Sequence, residues 1–243
     1  MTVLALPSRR DEDFRYADLE ALAPLWPVAV ETIAVAAGET GALTIVASAE
    51  APVRSLSIVL EAGARFDLRI LNARVAYGRI ALSVSLGEGA DFMLGAAQLG
   101  GASETLEIVT TVTHAAPNAT SRQTIRSVLA GHATGTYLGK VAVARGADGT
   151  DAAQSVRAML LDRTATANAK PELEIYADDV KCAHGCAIGE LDAQALFYMA
   201  SRGIPPGEAK RLMLQAFIAE AFVGAADEEA LTSAALARLE VLV

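Results

Sequence analysis

Between residues 28 and 190 the chain alternates short apolar runs with glycine-containing breaks. The runs at 32–35, 43–46, 56–60, 66–70, 80–86, 106–112 and 141–144 are built mainly from Val, Ile, Leu and Ala. IALSVSL at 80–86 alternates strictly, with the period of a half-buried strand. Gly38, Gly63, Gly78, Gly87, Gly89, Gly100, Gly101, Gly131, Gly135, Gly146 and Gly149 predict turns between the runs. Many short strands at close spacing predict a sandwich, a barrel or a β-solenoid. LEAGARFDL at 60–68 and LGEGADFML at 86–94 repeat one Gly-Ala-polar-Phe-x-Leu phrase 26 residues apart, as stacked coils do. The pattern alone leaves solenoid and sandwich open.

After Gly189 the period turns helical. Asp192 is placed to cap a helix over 193–201, with Gly203 as its stop. PPGE at 205–208 opens a second helix, with an apolar stripe of Ala209, Leu212, Met213, Ala216, Phe217 and Phe222. A third begins near Asp227 and aligns Leu231, Ala235, Leu239 and Leu242. Before the strands, residues 1–27 form a charged lead-in with about two helical turns at 19–25. Trp26, the only tryptophan, is placed to pack it on the body. The expected organisation is a lead-in (1–27), a β body (28–190) and a small helical subdomain (191–243).

Composition narrows the class. Hydrophobic residues make up 53% of the 243, but aromatics only 5%, which suits a narrow stack of small branched side chains. Mean hydropathy is +0.34, yet no charge-free apolar run reaches the ~18–20 residues of a spanning helix. The N-terminus lacks the basic start and apolar length of a signal peptide. A cytoplasmic protein is the expectation. A net charge of −9 argues against nucleic acid as the main partner.

The chemistry gathers at 171–192, PELEIYADDVKCAHGCAIGELD. Cys182, His184 and Cys186 fall within five residues, beside Glu172, Glu174, Asp178 and Asp179. There is no GxxxxGK[ST], no GxGxxG and no GxSxG, so neither an ATPase nor a serine hydrolase is indicated. A Cys–His enzyme lacks a third orienting residue. A structural zinc needs four ligands and the window offers three. His114 and His132 read as ordinary polar or turn histidines. A β-helix carbohydrate enzyme, lyase or hydrolase, is the alternative, with Asp178 and Asp179 as its carboxylates. Adjacent residues on a strand, however, face opposite sides. An incomplete ligand set that a partner completes remains open, and iron–sulfur chemistry accepts thiolate with histidine.

KPELEIYADDVKCAHG at 170–185, GELD at 189–192 and LFYMASRGI at 196–204 resemble the SufB/SufD family of SUF iron–sulfur cluster assembly scaffolds. The likeness extends back through DAAQ at 151–154, GKVAV at 139–143 and His114, and is clear over 111–219. DEDFRYADL at 11–19 is similar to the family's lead-in, with Phe14 in place of tryptophan. The Cys-x-His-Gly segment and the MAS before Arg202 resemble the SufD branch. This resemblance implies a right-handed parallel β-helix with C-terminal helices, acting as a non-enzymatic scaffold for cluster assembly and iron acquisition. It implies pairing with SufB and binding of the ATPase SufC through the helices, with self-pairing possible for the isolated chain. It further implies that Cys182 and His184 face the site as cofactor and metal ligands. By the same resemblance nothing is expected to be tightly bound to the isolated chain, the iron or cluster being transient at the SufB interface. Most of the family's N-terminal helical domain is expected to be missing. Cys186 stands where the family has a small residue and is given no ligand role.

Overall fold

The computed structural model of the chain describes residues 5–243, so the first four residues of the expected lead-in lie outside the described residues. Twelve strands follow one another: β1 (Val30–Val35), β2 (Thr40–Val46), β3 (Val53–Leu60), β4 (Arg65–Ala73), β5 (Tyr77–Leu86), β6 (Asp91–Gly100), β7 (Thr105–His114), β8 (Thr120–Leu129), β9 (Thr134–Val143), β10 (Asp151–Leu160), β11 (Thr166–Ile175) and β12 (Lys181–Gly189). Each pairs in parallel with the strand two places along the chain. The odd strands form one sheet, β1-β3-β5-β7-β9-β11, and the even strands the other, β12-β10-β8-β6-β4-β2. This is a parallel β-solenoid of about six turns, each giving one strand to each sheet.

The repeated phrase is the register of that coil. Phe66 pairs with Phe92 and Leu68 with Leu94. All four are buried, within a core of Val, Ile, Leu, Ala and Phe between the sheets. The corners explain part of the glycine pattern. Gly63, Gly89, Asn118 and Gly149 have φ of +66°, +63°, +61° and +73°. Their amides donate to Glu88, Pro117, Asp148 and Asp179 of the next coil at 2.7–2.9 Å. A left-handed residue is needed at each level, which glycine adopts freely and asparagine tolerates.

Gly78, Gly100 and Gly135 are corrections: they lie inside β5, β6 and β9, not in turns. The reason is space. A Cβ on Gly78 would stand 2.3 Å from Asn72 Oδ1, and one on Gly135 would stand 2.8 Å from Leu129 Cδ1. Strands β8 and β10 escape the apolar pattern because inward positions there are often polar or small, such as Ser121, Gln123, Ala152 and Gln154.

Each sheet carries a different cover. Over the odd sheet runs the lead-in, with helix α1 (Leu19–Leu22) flanked by 3-10 turns at Glu12–Phe14 and Ala23–Leu25. The expected two helical turns over 19–25 form, the first as α-helix and the second as a 3-10 turn at Ala23–Leu25 that contains Pro24. Asp18 N–H donates to Glu107 Oε1 at 2.9 Å, and Arg79 Nη2 donates to the Asp13 carbonyl at 2.8 Å. The Arg79 guanidinium also lies over the Phe14 ring, which meets Trp26 edge-on at 6.0 Å.

Against the even sheet lie α3 (Pro206–Ala219) and α4 (Glu228–Leu242), after α2 (Ala193–Ser201). Leu214, Ile218, Phe222, Leu231 and Leu239 pack on Leu71, Leu99 and Val128. Asp192 Oδ1 caps α2 by accepting from Gln194 N–H and Ala195 N–H. In α3 the stripe is corrected. The buried row is Ala209, Leu214 and Ile218, while Leu212 and Ala216 face out. The sheet meets the helix along this row, and Gly95 allows the Ala221 carbonyl beyond it to touch the β6 backbone.

Candidate functional site

The 171–192 window spans most of the last turn. β11 ends at Ile175, residues 176–180 form the corner, and β12 then pairs only with β10. Cys182 stands opposite Ala152, His184 opposite Gln154 and Cys186 opposite Val156. Ala152, Gln154 and Val156 are all buried and line the coil interior. Because strand side chains alternate, Cys182, His184 and Cys186 share the face that continues this interior. Among the described residues no further coil covers them. Cys182 is half-buried beside Val141, Val143 and Ala147, and His184 and Cys186 are exposed.

Burial is the larger cause acting on both thiols and pushes them above the usual range. For Cys182 the Ala152 backbone partly offsets this and the Asp151 carboxylate adds to it. An upward shift keeps a thiol protonated near neutral pH, the opposite of an activated nucleophile. A metal cation would reverse that balance, because a coordinating thiol is deprotonated. Among the described residues no three or more His, Cys, Asp or Glu side chains could hold a metal ion by themselves. Cavities of about 270 Å³, by Leu161, Leu191 and Leu214, and 230 Å³, by Trp26 and Val53, are not lined by Cys182 or His184. The candidate site is therefore an open edge rather than a pocket.

The other candidates sort themselves by position. Asp178 and Asp179 lie in the exposed corner between β11 and β12, not on a strand, so the alternation argument does not apply to them. Asp179 serves the fold there, its carbonyl accepting from Gly149 N–H at 2.7 Å. His114 is fully buried on β7, with Nε2 at 2.9 Å from Ser121 Oγ, and burial holds its pKa down at about 4. His132 lies in the corner after β8. Glu172 and Glu174 belong to a surface charge cluster with Lys170 and Lys140, joined by Glu12 of the lead-in.

One group under the window went unread in the sequence. Thr110 Oγ1, Gln123 Oε1 and Tyr137 OH lie 3.1–3.2 Å apart, and Gln154 Nε2 donates to Tyr137 OH at 3.3 Å. All four residues are buried. The available signal was a glutamine at the fourth position of both β8 and β10, where a strand core would place an aliphatic residue.

Comparison with known proteins bears on this geometry. Residues 30–217 match the family described as "SUF system FeS cluster assembly, SufBD core domain". The chain belongs to the SufBD core domain family. SufD of Escherichia coli is 37% identical over 119 residues, 49% of this chain and 28% of that protein. The chloroplastic protein ABCI7 of Arabidopsis thaliana is 40% identical over 119 residues, 48% of this chain and 25% of its own. SufD of Bacillus subtilis is 36% identical over 92 residues, 38% and 21% respectively. The aligned stretch thus spans about a quarter of these curated relatives. Among the described residues, no helix is long and apolar enough to cross a membrane.

Proposed function

We propose that this SufBD member acts as the SufD-type subunit of an assembly scaffold, with Cys182 and His184 presenting one half of a site for a forming iron–sulfur cluster. The observation that carries the reading is the placement of both residues on the interior face of an uncovered edge strand. A ligand pair on such an edge is completed by whatever pairs with the edge. SufB, a second solenoid, is the partner in this reading, and the iron or cluster is cargo that remains bound only while the interface holds it. Raised thiol pKa values fit a site charged by incoming metal rather than one that attacks a substrate.

In the same reading, the helices after Asp192 bind the ATPase SufC. Leu214, Ile218 and Phe222 are occupied by the sheet. The exposed side of α2 remains for a partner, with Phe197 and Tyr198 at 77% and 59% exposure.

Reconstitution with SufB and SufC tests both contacts. Cys182→Ala and His184→Ala are expected to lower cluster formation while leaving the complex intact. Phe197→Asp is expected to weaken SufC capture while leaving the solenoid folded. Full cluster assembly by His184→Ala would remove that residue from the site. Undiminished capture by Phe197→Asp would move the SufC contact elsewhere.

A further inference from the structure

Along one interior column of the even sheet the residues in register are Leu68, Leu94, Gln123, Gln154 and His184. The column turns from aliphatic to amide and ends in an imidazole at the open edge. The amides are held from the opposite sheet by Thr110 and Tyr137. Tyr137 reaches them because Gly139 has no side chain: a Cβ there would stand 2.2 Å from the tyrosine oxygen.

This packing engages the Gln154 amide nitrogen with Tyr137 OH but leaves Gln154 Oε1 buried and without a hydrogen-bond partner. A buried carbonyl oxygen left unpaired forfeits the hydrogen bond it had in water, so a donor one level up is favoured. His184 occupies that level, on the same face and the neighbouring strand, about 4.8 Å away between backbones. On the opposite sheet the residue next above Tyr137 is Ala169, whose small side chain leaves room over the amide.

We propose that Gln154 is a positioning residue for His184: its Oε1 accepts one imidazole N–H, fixing the ring in a single tautomer with the other nitrogen's lone pair directed out of the open end. This rests on the reading of His184 as a ligand. The chemistry follows that of metal-ligating histidines, whose second nitrogen is oriented by a carbonyl or carboxylate.

Nitrogen-15 imidazole NMR of the full chain above pH 7.5 tests the proposal, His184 being assigned by the signal lost in His184→Ala. Wild type is expected to show one dominant His184 tautomer. Gln154→Leu removes the acceptor and Gln154→Asn withdraws it by one methylene while keeping a polar core. Both are expected to give the two-tautomer mixture of a free imidazole, and Gln154→Glu, which retains an acceptor, to restore the single form. A two-tautomer mixture in wild type, as expected if Gln123 Nε2 satisfies Gln154 from below, would overturn the proposal. So would an unchanged spectrum in Gln154→Asn. Cluster assembly by His184→Ala tests the underlying ligand reading separately, since the tautomer can depend on Gln154 whether or not the ring binds iron.

Discussion

The middle coils and the last coil are built on one register but stabilised differently. At β4 and β6, Phe66 and Phe92 stack between two sheets with neighbours above and below. At β12 the equivalent positions carry Cys182, His184 and Cys186, with a coil on one side only. A position that is packed on both sides in the interior is packed on one side only at β12, the edge of its sheet. Phe92→Ala should therefore cost about 3–5 kcal/mol, whereas Cys182→Ala at the corresponding column should cost under about 1 kcal/mol. Urea unfolding of the two variants measures the contrast, and equal losses would abolish it.

The lead-in gives a second way to sharpen the comparison, because it rests on a buried ion pair, Arg79 with Glu107, rather than on the open end. Glu107→Ala leaves the Arg79 charge buried alone, with an expected loss of about 3–5 kcal/mol. It also removes the acceptor of Asp18 N–H, so the lead-in should loosen. Trp26 is the sole tryptophan, and its fluorescence should shift to the red before the solenoid melts. An unshifted spectrum would show that Phe14 and Trp26 hold the segment without the ion pair.

His114 extends the contrast to pH. Its folded pKa of about 4 lies below the ordinary value of 6.5, so between these values only the unfolded chain takes up the proton. Stability is complete above pH 6.5 and falls by roughly 3 kcal/mol as the pH drops to 4. His114→Gln should flatten that part of the stability–pH curve. A slope that survives His114→Gln unchanged would overturn the assignment.

Those variants also show where the sequence was legible. Phe66 and Phe92 revealed the coil because glycine corners and large apolar side chains recur together. The window around Cys182 was conspicuous because both cysteines and one of the three histidines fall within five residues. The polar column beneath it was hidden. Gln123 and Gln154 look like ordinary surface residues until the 31-residue step between β8 and β10 places them in one file. That step differs from the 26 between β4 and β6, so a fixed-period search misses it. In α3 the apolar pattern was real, but which row meets the sheet depends on contacts from residues more than a hundred positions away, such as Arg69 donating to the Ala221 carbonyl.

The smallest expected effect is kinetic and falls at the open end. Both β12 thiols are shifted upward, Cys186 by burial alone and Cys182 by burial in competition with the Ala152 backbone. A raised pKa lowers the thiolate fraction, so alkylation at pH 7 should be slower than for a free thiol of pKa about 8.5. The pH–rate midpoint should lie above that value for each site, measured separately in Cys182→Ser and Cys186→Ser. Exposed Cys186 should react before half-buried Cys182. A midpoint below the free-thiol value would mean that the edge activates its cysteines, and the last coil would then be a reactive surface rather than a waiting half-site.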